Sequence, residues 1–118
     1  MVNLHFKRIL ILGLLTVSFN TNAQTDKNVL MQRCRDLSEN IISLVYSQGR
    51  SSCVEKLSSA SMEVEAAGDW IMADNPLSAK QELEHAMFSL QYAELNSCNR
   101  YIQISHAKLE AQKIRNLL

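Results

Sequence analysis

Apolar residues recur every seven positions in the C-terminal part of this chain. Leu83, Leu90, Ile104, Ala111 and Leu118 occupy one ladder, broken only at Ser97. Phe88, Leu95, Ile102 and Leu109 occupy a second. At about 100° per residue the two ladders lie on different sides of a helix, which predicts a neighbour on each side. Neither Gly nor Pro occurs between Ser78 and Leu118, and Ser78 with Gln81 makes a capping box at the start. The pattern predicts one long helix, the post of a small bundle. Asn96-Ser97-Cys98-Asn99 is a cluster of weak helix formers where residues 100–118 could fold back as a fourth helix. The heptad phase continues through that cluster, which favours the straight form.

Two shorter helices precede the post. The first is expected from near Asp26 to Gly49, capped by Thr25 or Asp26 and closed by Gly49 in the left-handed conformation. Its stripe is Leu30, Cys34, Leu37, Ile41 and Leu44, in four-three steps. The loop Gln48-Gly49-Arg50-Ser51 is short, so the next helix returns antiparallel. That helix starts at Ser52, which makes a second capping box with Glu55. Its stripe is Cys53, Leu57, Ala60, Val64, Ala67 and Ile71. Gly68 is about 1 kcal/mol worse than Ala inside a helix and reads as a point of fraying. Ala73-Asp74-Asn75-Pro76-Leu77 is the next break, because Asn before Pro is pushed out of the helical region. The expected fold is all-α: a three-helix antiparallel bundle with a long C-terminal helix, the bent four-helix form being its alternative.

The start of the chain follows a different plan. Lys7-Arg8 precede the apolar run Ile9 to Phe19, and small residues stand at Thr21 and Ala23 before Gln24. These are the three parts of a secretory signal peptide. The run is shorter than the ~20 apolar residues that span a bilayer. Residues 1–23 are therefore expected to be removed, leaving 24–118 as one helical domain with no stable membrane insertion. The destination is the periplasm in a bacterium, and otherwise the outside of the cell. The chain has 12 Lys and Arg against 12 Asp and Glu; without Lys7 and Arg8, ten basic residues face twelve acidic ones, a net of −2. With no basic excess, nucleic acid is not an expected partner. The charge is unevenly spread: residues 55–94 carry eight acidic and two basic residues, residues 95–118 one acidic and four basic.

Three cysteines on an exported chain imply one disulfide and one thiol. Cys53 stands 22 residues before Asn75, and Cys98 stands 22 residues after Pro76. Folding the chain antiparallel about that turn brings them level. Cys34 comes level with about residue 64, roughly 16 Å along the axis from Cys53, beyond the ~7 Å reach of a bridge. The predicted pair is Cys53–Cys98, and Cys34 is expected to be an inert buried thiol.

Little else in the chain carries chemistry. Glu82-Leu83-Glu84-His85 has the Glu-x-x-His spacing of di-iron bundles, but those sites need two such motifs and two further glutamates. His106 is 21 residues from His85, over ~30 Å along a straight helix. Met31, Met62, Met72 and Met87 are scattered and fit adaptable core filling better than copper binding. There is no nucleophile elbow, phosphate loop or HExxH motif. No cofactor, metal ligand or catalytic residue is assigned, and an enzyme is not expected. The strongest functional feature is the part of the long helix that outruns its neighbours beyond about Asn99. Ile102, Ile104, Leu109, Ile114 and Leu118 keep it apolar, and Lys108 and Arg115 favour an acidic counterpart. The expected function is an exported, non-enzymatic binding or accessory module. It would engage another protein, or a second copy, through the C-terminal helix; the alternative is a metal-binding carrier.

Overall fold

In the computed structural model, which describes residues 27–118, the four-three stripes of the first two helices are buried as their spacing dictates. The leader, its cleavage point before Gln24 and the Thr25 or Asp26 cap lie outside the described residues. Among the described residues four helices follow one another: α1 over residues 27–45, α2 Ser51–Met72, α3 Pro76–Leu95 and α4 Tyr101–Asn116. The all-α class stands. The single long C-terminal helix does not, because the chain leaves α3 at Leu95 and folds back as α4.

The residues between α3 and α4 show why. Ser97 and Arg100 take φ of 57° and 65°, and a residue in the left-handed conformation cannot continue a right-handed helix. Ser97 occupies the closing position of α3. The Cys98 N–H reaches back to the Ala93 carbonyl at 3.2 Å, the six-to-one bond of a Schellman motif. The end of α2 closes the same way, with Asp74 at φ 58° and the Asn75 N–H bonded to the Trp70 carbonyl at 2.9 Å.

Gly49, expected to close the first helix in this manner, does not adopt positive φ. The Ser47 and Gln48 N–H groups instead donate to the Leu44 and Val45 carbonyls, and both side chains donate to the Leu44 carbonyl. Two expected capping boxes also fail. Asn75 caps α3, its Oδ1 accepting the Ser78 N–H at 3.1 Å, and Pro76 takes the first helical position, where a missing N–H has no cost. Arg50 is the cap residue of α2 and makes no side-chain capping bond; Ser52 is already inside the helix.

The helices alternate in direction, and α4 fills the gap between α3 and α1. Arg115 Nε donates to Glu84 Oε1 of α3 at 3.0 Å, while Arg33 Nε of α1 donates to Glu110 Oε1 of α4 at 2.8 Å. Ile41, Leu57, Val64, Leu83, Leu90, Ile104 and Ile114 are fully buried between them. Each such side chain contributes about 1.5–3 kcal/mol of transfer free energy.

Small residues bring α1 and α2 close together. Ser38 Oγ donates to the Ser61 carbonyl at 2.9 Å, and Ser61 Oγ donates back to the Ser38 carbonyl at 3.0 Å. One end of this seam is Gly68, where an added Cβ would lie 3.2 Å from Cys34 Cβ. Gly68 is therefore a residue of close helix approach and not a point of fraying. At the opposite end of the bundle Cys53 and Cys98 pair, with Cα atoms 5.7 Å apart. Beside them Gln48 and Asn99 tie the two loops: the Asn99 N–H donates to Gln48 Oε1, and Gln48 Nε2 donates to the Asn99 carbonyl, both at 2.8 Å. Cys34 is free and buried.

Candidate functional site

The fold divides the residues expected to form an interface on the C-terminal helix. Ile104 and Ile114 are fully buried in the core and are not surface residues. The bend produces this correction, since it turns their side of α4 inward against the other three helices. Leu118 is half-buried against the same core. Lys108 and Arg115 meet acidic groups within the chain, Lys108 pairing with Glu94 and Arg115 with Glu84. The acidic counterpart expected in a partner is thus α3 itself. Ile102 and Leu109 alone of the predicted set are exposed apolar residues.

They do not stand alone on that surface. Phe88, Leu95, Ile102 and Leu109 were expected to pack on a second neighbour, and none of the described helices covers them. Their exposures are 68%, 76%, 65% and 49%. The bonds from Arg115 to Glu84 and from Ser105 to Glu94 set the register of α3 against α4. In that register Leu95 stands about level with Ile102, and Phe88 about level with Leu109. The bend has converted one ladder on a straight helix into two rungs across a helix pair. Seven residues further along, Gln81 and Asn116 end the apolar surface.

A groove of about 460 Å³ runs between α3 and α4 from Gln91 and Lys108 to Glu84 and Arg115, with Met87 and Gln112 on its sides; of the four rung residues Phe88 lines it. The ion pairs at its edges are held partly out of water. Glu94 is the more enclosed: burial raises its carboxyl, but hydrogen bonds from Lys108 and Ser105 and the Lys108 charge outweigh that and hold it below the usual range. Phe88 and Leu95 were missed as surface residues because their spacing is also that of a packed ladder. The discriminating signal was the turn at residues 96–99, which decides whether the ladder has a neighbour.

The remaining chemistry-bearing groups form no reactive constellation. Burial pushes the Cys34 thiol up to about 11, more than the nearby Arg33 lowers it, so it is kept protonated and unreactive. Glu63 of α2 faces Glu82, His85 and Ser89 of α3. Its carboxyl is raised by burial, with Glu82 adding to the effect and His85, Lys56 and Ser89 opposing it; its Oε2 is buried without a hydrogen-bond partner. Lys56 also lies over the Tyr92 ring, 5.1 Å from its centre. Among the described residues no three His, Cys, Asp or Glu side chains converge to hold a metal ion. No described helix is long and apolar enough to cross a membrane. Compared with protein-family models, curated proteins and solved structures, the chain matches none.

Proposed function

We propose that this protein is an exported, non-enzymatic accessory module that holds another protein on the outer face of α3 and α4. The observation that carries the reading is the pair of exposed apolar rungs, Leu95 with Ile102 and Phe88 with Leu109. An apolar surface flanked by polar residues and left uncovered by the described helices is characteristic of an interface. Residues seven apart on a helix rise about 10.5 Å, the spacing of one heptad. A partner helix with apolar residues at that interval would lay one against each rung, the helix-in-groove mode of recognition. Export is supported by the three-part leader over residues 1–23 and by a Cys53–Cys98 pair suited to an oxidising compartment.

The test has two arms. The N-terminus of the protein recovered from the exported fraction should be Gln24; recovery from the cytoplasm with Met1 in place would remove the export half. Affinity capture from that fraction should yield a discrete partner that Ile102→Asp with Leu109→Asp fails to retain. Sedimentation of the pure protein identifies self-association, in which case the partner is a second copy. If the double variant captures the same proteins with the same yield, the α3–α4 face is not the interface.

A further inference from the structure

A second recess lies on the opposite flank of α4, along its seam with α1. It encloses about 430 Å³, within the range of small-ligand sites. Its apolar floor is formed by Leu37, Leu44 and Ala107; the alanine is too small to fill the space between the two helices. Asn40 of α1 and Gln103 of α4 line it, and Arg100 contributes from the α3–α4 turn. The acid of the recess, Glu110, is already engaged by Arg33. Arg100 has no carboxylate within ion-pairing distance among the described residues, so the recess carries an unmatched positive charge.

We propose that this groove binds the carboxyl-terminal end of a peptide whose last residue is aliphatic. Three features specify that ligand together. The Arg100 guanidinium is a planar fork suited to a carboxylate and forms no ion pair among the described residues. Neither the Asn40 nor the Gln103 side-chain amide bonds to another described residue, and each offers the donor and acceptor that a peptide unit requires. The floor of Leu37, Leu44 and Ala107 takes an aliphatic side chain but has no polar group to satisfy a charged one. A free fatty acid would use the cation and the floor and leave the amides idle; a nucleotide would bring more negative charge than one arginine answers. The proposal stands independently of the apolar face on the other flank of α4.

The test is titration of the isotopically labelled, oxidised mature protein with acetyl-Ala-Leu as the free acid and as its carboxyl amide, followed by amide chemical shifts. The acid should produce saturable shifts centred on Leu44, Arg100 and Gln103, with weak affinity in the range expected of so small a ligand. The amide form should bind roughly tenfold more weakly, about the weight of one charge-assisted interaction. Arg100→Gln should abolish the difference between the two forms, and Gln103→Leu should weaken both. Both positions are exposed, and an unchanged spectrum away from the groove will show that the fold is kept. Absence of saturable shifts at millimolar peptide, equal binding of acid and amide, or full acid preference in Arg100→Gln would each overturn the assignment.

Discussion

Replacing Gly68 by alanine sets helix propensity directly against packing. Inside an exposed helix the change would stabilise by about 1 kcal/mol. Here the new Cβ would lie 3.2 Å from Cys34 Cβ, 3.6 Å from the Met31 carbonyl oxygen and 3.9 Å from Met31 Cγ. Carbon atoms prefer about 3.5–4.0 Å, so the first contact is short by several tenths of an ångström. Cys34 Cβ has no freedom to swing away, being bonded directly to the α1 backbone. Relief therefore requires α1 and α2 to separate. The reciprocal Ser38–Ser61 bonds, one to two turns along the seam, resist that. Overpacking of this kind typically costs about 1–3 kcal/mol. The expected balance is a net loss of about 1 kcal/mol, or some 4–8 °C in Tm for a domain of this size. Gly49→Ala is the control, since nothing lies within 4 Å of its Cβ and its φ is not positive; it should be neutral or gain about 0.4–1 kcal/mol. Urea unfolding followed by circular dichroism measures both. A Gly68→Ala protein that gains stability as Gly49→Ala does would show slack in the α1–α2 seam and refute the packing argument.

Reduction of Cys53–Cys98, which closes a separation of 45 residues, should lower stability by about 4 kcal/mol in the loop-entropy treatment; helical content below the new midpoint should stay near native, and an unmoved midpoint would mean other contacts already close the loop. Ile104→Asp places a charge in the core and should abolish cooperative unfolding, whereas Leu109→Asp on the surface should stay within about 0.5 kcal/mol of the parent; equal effects on thermal melts would contradict the bend. Two carboxylates should act with opposite signs in unfolding measured from pH 4 to pH 8. Glu63, raised on folding, contributes stability below its unfolded value and loses it as pH rises through its folded value. Glu94, lowered on folding, contributes above its unfolded value and loses it as pH falls through its folded value. Hence Glu63→Gln should stabilise near neutrality and Glu94→Gln should destabilise there, both effects shrinking in acid; like signs would show that one of the two environments is misassigned.

The buried stripes of α1 and α2 were legible because four-three spacing has one reading: it turns a single side of a helix towards a core. The disulfide was legible for a related reason. Counting outward from Asn75-Pro76 gives the register of an antiparallel pair, and α3 runs to Leu95, close enough to Cys98 for the count to hold. The ends themselves were misread. Capping boxes at Ser52 and Ser78 obey the rule for Ser three residues before Glu or Gln, yet Asn75 stands closer to the start of α3 and Pro76 fixes its first turn. Gly49 obeys the rule for closing a helix, yet Asp74 and Ser97 take the left-handed positions. Such rules name residues able to adopt a conformation; the loop geometry decides which of them does.

The bend between α3 and α4 was hidden by a coincidence of phase. Leu90 and Ile104 are fourteen residues apart, two whole heptads, so the chain leaves one helix and enters the next without shifting its apolar ladder. Periodicity alone cannot distinguish that from a continuous helix. A second constraint could have done so. On a straight helix Cys98, eight residues after Leu90, lies about 80° around the cylinder from it. A bond to Cys53, itself part of a core stripe, needs Cys98 aimed inward, and the turn at Ser97 achieves this. The same turn decides which residues of α4 reach the surface. With α4 folded back, Ile104 and Ile114 become core, and Lys108 and Arg115 become partners of Glu94 and Glu84 on α3, so two of the four basic residues of 95–118 are answered within the chain. What the fold leaves uncovered is the other ladder. Phe88, Leu95, Ile102 and Leu109 have the composition and spacing of packed residues but no packing partner among the described helices, and the interface proposed on the α3–α4 face rests on that mismatch.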